Sequence, residues 1–210
     1  MDGVTELAWG CLDTPVGQVS VACTNAGVAR VRYGPPPDPV PGTPQALGTL
    51  AAVLLETALA ELGEYFGDGR RKFTVPVDLG SAHGARRAVL SVLHGSVAFG
   101  QTITYGALAA RAGLDAAVAP GSDGPGSAVP PARVVGQIMA SNPVALIVPC
   151  HRVVAGTGLG GYSGGTGTDV KQWLLVFEGA IPATLDWDPA GLRPWRAGGG
   201  QAQPAGPVSV

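Results

Sequence analysis

Residues 143–149 read Pro-Val-Ala-Leu-Ile-Val-Pro, an apolar run with a proline at each end, and the next two residues are Cys150 and His151. Five apolar residues are too few for a helix and fit a short, buried, strand-like run at 144–148. A proline steers the residue before it out of the helical region, so Asn142 reads as a helix stop. Pro149 cannot donate to a ladder, which gives the chain a reason for irregular backbone at the cysteine. A chain carrying this stretch must bury it, and doing so brings a thiol and an imidazole to the edge of its core.

The rest of the chain is cut into short elements, because 33 glycines and 19 prolines fall among 210 residues. Residues 17–34 hold two β-type runs around "TNAG", a hairpin pattern with its turn at 25–27. Residues 35–44 are proline-rich loop. Residues 46–66 carry apolar side chains at helical spacing, and 72–79 alternate as a strand. The second half reads as helices at 81–97 (opened by Ser81), 104–113, 131–142 and 167–180. Thr104 and Gly113 punctuate the second of these, and Pro131 sits in the first turn of the third. Residues 114–130 are a Gly/Pro/Ser/Ala-rich insert, and the chain after about 182 is expected to fray. The expected class is α+β. A small α/β domain spans 1–80, a mostly helical domain 81–183 and a flexible tail 184–210.

Charge excludes some functions. Net charge is −2, so the whole chain has no basic footprint for nucleic acid. Residues 1–80 carry five Lys/Arg against nine Asp/Glu, and 81–180 carry six against four. The second half therefore permits nucleic-acid contact without demanding it. No apolar stretch is long enough to span a bilayer. The three cysteines, Cys11, Cys23 and Cys150, form no disulfide framework, and the reading is a cytoplasmic protein with reduced thiols. Cys11 and Cys23 read as small buried hydrophobes. With three scattered histidines and no CxxC or HxxxH spacing, no metal is expected.

A cysteine becomes nucleophilic when a base, a cation or a helix terminus favours its thiolate. Cys150 has His151 beside it, Arg152 beyond, and an acid, Glu178, in the last helix. A Cys–His–acid relay is one reading. On a strand, adjacent side chains point to opposite faces, so a Cys–His exchange would need a bend or a bridging water. On spacing alone, a structural cysteine beside a surface histidine is an equally good reading.

"VPCHRVV" at 148–154, "GYSGG" at 161–165 and "KQWLLVFEG" at 171–179 together resemble the active-site signature of the O6-alkylguanine-DNA alkyltransferases. "FGQTITYGALA" at 99–109 resembles the first helix of that family's helix-turn-helix. Residues 132–153 resemble its recognition helix and the approach to its cysteine, and "DTPVGQVSV" at 13–21 resembles the start of its N-terminal domain. The resemblance implies an RNase H-like N-terminal domain and a winged helix-turn-helix-like core. It also implies a monomer on double-stranded DNA carrying O6-alkylguanine, bound through the minor groove. The implied activity is one irreversible SN2 transfer of the alkyl group to Cys150, without cofactor.

Residue by residue, the resemblance makes Cys150 the acceptor. His151 takes the thiol proton through a water, and Glu178 orients the histidine. Asn142 braces the turn into the cysteine. Arg133 fills the stack when the base is flipped out. Tyr105 crowds the 3′ phosphate and protonates the departing guanine. Met139, Tyr162 and Ser163 wall the base pocket, and the Val153 carbonyl reads the exocyclic amine. Gly136 and Ala140 keep the recognition helix slim against DNA. Related lesion-binding proteins lack the acceptor cysteine, so Cys150 favours the enzyme. The sequence departs from the family in the 114–130 insert and around Tyr162 in 156–171. The alternative reading is therefore a lesion-binding protein whose transfer is weakened by the insert.

Overall fold

The computed structural model describes residues 7–38, 49–67, 69–80, 82–114 and 129–183. The insert lies almost wholly outside the described residues, as do Ser81 and the tail from 184. The architecture is mixed α+β. β1 (Ala8–Thr14), β2 (Gly17–Thr24) and β3 (Gly27–Tyr33) form an antiparallel meander in the order β1-β2-β3. α1 (Leu50–Phe66) packs across β1 and β2, with Ala58, Leu62 and Tyr65 buried. Thr49 caps it by accepting from the Ala52 amide.

α2 (Gly84–Ser96) leads to α3 (Tyr105–Arg111) and α4 (Pro131–Ala140), which pack against each other. Thr104 caps α3 by accepting from the Ala107 amide at 3.1 Å. α2 opens at Gly84 with His83 as cap residue. A two-residue parallel pair joins β4 (Ile103–Thr104) to β5 (Val153–Val154) and places Tyr105 beside the end of the cysteine segment. α5 (Thr168–Phe177) closes the chain of elements and ends at Glu178.

Four expectations are corrected. Residues 72–79 are not a strand: only Val77 pairs, in an isolated parallel bridge to Val28. Pro76 interrupts the ladder, although its carbonyl accepts from Val28. Gly27 is required there, since its φ is +146° and a Cβ would collide with that carbonyl. Residues 144–148 are buried as expected but form a turn, with Leu146 at φ 69° and Val148 N donating back to Val144 O. α4 stops at Ala140 rather than Asn142. Cys23 is buried, but Cys11 faces outward on the edge strand β1 and is exposed.

The bridge Val31↔Val144, with Val31 N donating to Pro143 O at 2.8 Å, stitches β3 directly to the segment that delivers Cys150. β3 is thereby built into the wall of the site described next.

Candidate active site

Cys150, His151 and Arg152 form one turn of 3-10 helix after Pro149. That turn resolves the strand problem, because three successive side chains fan around an axis instead of alternating across a sheet. Cys150 shares a cavity wall with Asn142 and Tyr162, whose polar groups favour its thiolate against burial. His151 faces the core and is fully buried, with Nε2 2.9 Å from Glu178 Oε1. If Nε2 carries the proton toward the carboxylate, Nδ1 is left as an acceptor, and it is buried without a protein partner among the described residues.

Glu178 collects more donors than sequence suggested. Arg152 grips it with both Nε and Nη2 at 2.9 Å, and Tyr65 donates its hydroxyl to Oε1 at 2.7 Å. Burial alone would raise this carboxyl, but hydrogen bonds and charge from His151 and Arg152 outweigh it and hold it well below the usual carboxylate range. Burial lowers His151, and only part of that is returned by Glu178, so the imidazole is neutral at neutral pH. Burial pushes the Cys150 thiol up, against bonds from Asn142, Tyr162 and the backbone and the charge of Lys171. The resting sulfur is therefore a thiol that needs a base, with a neutral imidazole as its neighbour in sequence.

A cleft of about 410 Å³ opens onto Cys150, lined by Tyr105, Ala132, Gly136, Met139, Ala140, Gly161, Tyr162 and Ser163. α4 supplies one wall at i, i+4 and i+8 spacing, and the 161–163 loop supplies the other. Ser163 ties the walls together by donating from Oγ to Ala140 O at 3.1 Å. Val153 is buried and its carbonyl accepts from Lys171 Nζ at 2.7 Å, so it does not face the cleft unpartnered. Arg133 stands exposed on the first turn of α4, with no side-chain hydrogen bond or ion pair among the described residues. Asn142 braces the cysteine turn, donating to Val148 O at 2.8 Å and accepting from Val144 N at 3.1 Å.

Four residues of this site were not assigned a role by sequence reasoning: Tyr33, Tyr65, Arg152 and Lys171. Lys171 is buried, donates also to Gly161 O at 3.2 Å, and lies 5.8 Å from the Tyr105 ring centroid. Burial brings its ammonium down to about 8. Lys171 had a signal within "KQWLLVFEG", since a lysine on an apolar helix face needs buried acceptors. The two tyrosines had none, because only the tertiary fold brings 33 and 65 to 150 and 178.

The family model described as 6-O-methylguanine DNA methyltransferase, DNA binding domain, matches residues 84–180. The methylated-DNA–protein-cysteine methyltransferase of Mus musculus is 35% identical over 188 residues, covering 83% of this chain and 82% of its own. A DNA base-flipping protein of Thermus thermophilus is 33% identical over 172 residues, covering 81% of this chain and 99% of its own. The crystal structure of Mycobacterium tuberculosis O6-methylguanine methyltransferase superposes with a TM-score of 0.62 at 28% identity, over 85% of this chain and 97% of that one. A structure of the mycobacterial protein in complex with DNA covers 82% and 92%, again with a TM-score of 0.62 and 28% identity. With relatives above 30% identity along most of its length, a matching DNA-binding-domain model and the Cys-His-Glu cluster in place, the chain belongs to the methylated-DNA–protein-cysteine methyltransferase family.

Proposed function

We propose that this protein binds duplex DNA carrying O6-alkylguanine, rotates the damaged nucleotide into the cleft and transfers its alkyl group once to Cys150. The observation that carries this reading is a single cysteine at the base of a largely apolar cleft, with a buried imidazole–carboxylate pair behind it. In the reaction the thiol proton passes through a water to Nδ1 of His151, whose Nε2 proton is held by Glu178. The sulfur lone pair attacks the alkyl carbon, the S–C bond forms, and the C–O6 bond breaks with its electrons going to the guanine. Tyr105, which lines the cleft, protonates the departing base. A thioether does not hydrolyse, so one protein repairs one lesion, and no step calls for a cofactor or a metal.

Extruding a base costs a few kcal/mol of stacking and pairing, and binding contacts must offset that. α3 and α4 serve as the helix-turn-helix of a winged fold in residues 81–183, with α4 as the recognition helix in the minor groove. Residues 1–80 form the RNase H-like domain. The working unit is a monomer acting in the cytoplasm. Arg133 fills the vacated stack, while Met139, Tyr162 and the Ser163 amide contact the flipped base.

Gly136 supports the close approach of DNA to α4. A Cβ there would meet nothing within 4 Å, so the fold itself does not require glycine. Glycine inside a helix costs about 1 kcal/mol relative to alanine, and nothing internal recovers it. Gly136→Ala is expected to raise thermal stability by about 0.5–1 kcal/mol while weakening duplex affinity several-fold. Calorimetry and a duplex titration at fixed salt measure the two together. A stabilised variant that binds as well as wild type would remove α4 from the interface.

The test of the function is intact mass after incubation with duplex containing O6-methylguanine, with Cys150→Ala as the blank. One methyl per protein, mapped to the Cys150 peptide and stopping at one equivalent, is expected. Lesion binding without mass gain would instead make the protein a binder, in line with its base-flipping relative.

A further inference from the structure

We propose that Tyr33 of β3 is a positioning residue for the acceptor sulfur: its hydroxyl engages the Tyr162 hydroxyl and thereby commits Tyr162's proton to Cys150. This rests on the acceptor role given to Cys150 above. The two phenol oxygens are 2.9 Å apart, and the rings meet edge to face at 6.4 Å and 75°. Tyr162 and Cys150 line the same cleft and the same second cavity, which sets the phenol beside the thiol.

A phenol has one proton to donate. While Cys150 is a thiol, the Tyr33–Tyr162 bond can run either way. Once the sulfur is a thiolate it can only accept, so Tyr162 must donate to it. The Tyr162 oxygen must then accept from Tyr33. The chain Tyr33 O–H to Tyr162 O–H to sulfur has one proton order in the reactive state, and each bond polarises the next. Without Tyr33, the Tyr162 hydroxyl loses both its polarising donor and the edge-to-face contact that holds its ring in the cleft.

Packing indicates that the pair is built into the fold. A Cβ at Gly164 would lie 2.5 Å from Tyr33 Cε2 and 2.7 Å from Tyr162 Cε1, so both rings close over a position only glycine can occupy. Tyr33 also borders a second cavity of about 330 Å³ that reaches Cys150 from the β3 side. The "GYSGG" loop is thus clamped from the N-terminal sheet.

The experiment follows the pH dependence of Cys150 alkylation by iodoacetamide, read by peptide mass so that exposed Cys11 is counted separately. It compares wild type, Tyr33→Phe, Tyr162→Phe and the double variant. Among the described residues, the other titratable or charged groups around the sulfur are Arg32 of β3, Lys171 of α5, Tyr105 of α3 and the His151–Glu178–Arg152 cluster, and all four proteins share them. Tyr33→Phe should move the thiol titration up by about half to one unit, given that hydrogen bonds to a charged group are about twice as strong as neutral ones. At neutral pH that is a three- to ten-fold slower alkylation, converging on wild type at alkaline pH, with the melting temperature held. The Tyr33 effect should vanish in the Tyr162→Phe background. An unmoved titration, or additive effects in the double variant, would overturn the proposal. Because iodoacetamide needs no DNA, the result is independent of whether the protein repairs guanine.

Discussion

Glu178→Gln should lower the stability of this protein by about 3–5 kcal/mol, the cost of leaving one partner of a buried ion pair behind. The carboxylate is the meeting point of His151, both donor edges of Arg152 and the Tyr65 hydroxyl, and Arg152 is nearly as buried as its partner. Glutamine keeps the shape but removes the charge and turns a donor toward donors. Against a total stability of about 5–15 kcal/mol, thermal unfolding should move down by on the order of 10 °C. Alkyl transfer, measured well below the new melting point in a single turnover, should slow by about 10²-fold, in the range that general-base catalysis contributes.

The pH dependence of this deficit has a definite sign. Glu178's carboxyl is held below its unfolded value of about 4.3, so its contribution is complete above that pH and is lost as pH falls toward the folded value. The stability gap between wild type and Glu178→Gln should therefore be constant from neutrality to about pH 5 and narrow below it. A gap that stays constant to pH 3 would show that the loss came from packing, not charge.

How much of this site could be read in advance depended on sequence distance. Asn142, Cys150, His151 and the lining residues of α4 lie within about one helix and one turn of each other, in the stretch 132–153 whose resemblance to the family carried them together. Glu178 was found because "KQWLLVFEG" resembles the family segment that carries the orienting carboxylate, although Asp169 opens the same helix. The turn at 144–148 was misread because an apolar run of five cannot be told from a strand by periodicity. Leu146 in the left-handed region has no residue signature, since that conformation usually calls for glycine or asparagine. Residues 72–79 alternate convincingly, yet the ladder dissolves at Pro76 after one bridge. Tyr65 reads as a core aromatic, which it is, packed near Phe66, Phe73, Phe99 and Phe177. What sequence could not say is that its hydroxyl leaves that cluster on the side of Glu178. Burial and the nearby carboxylate push that phenol up, so it remains a donor at every accessible pH.

Arg133→Ala should separate flipping from chemistry. The side chain makes no hydrogen bond or ion pair among the described residues, so its truncation should leave stability within about 0.5 kcal/mol of wild type. Its neighbours on α4, Ala132 and Gly136, line the cleft, whereas Arg133 is exposed and does not line it. If the guanidinium fills the gap left by the extruded nucleotide, removing it returns a few kcal/mol of unstacking cost to the flipped state. A loss of about 2 kcal/mol corresponds to roughly thirty-fold slower repair of O6-methylguanine in duplex. Free O6-methylguanine base has no stack to fill, and its slow reaction with Cys150 should be nearly unchanged. The ratio of the two rates is the measurement, because a general defect in the thiol or cleft would slow both substrates equally. Equal losses would place Arg133 in phosphate attraction or cleft architecture and leave the vacated stack to be filled by another residue of α4.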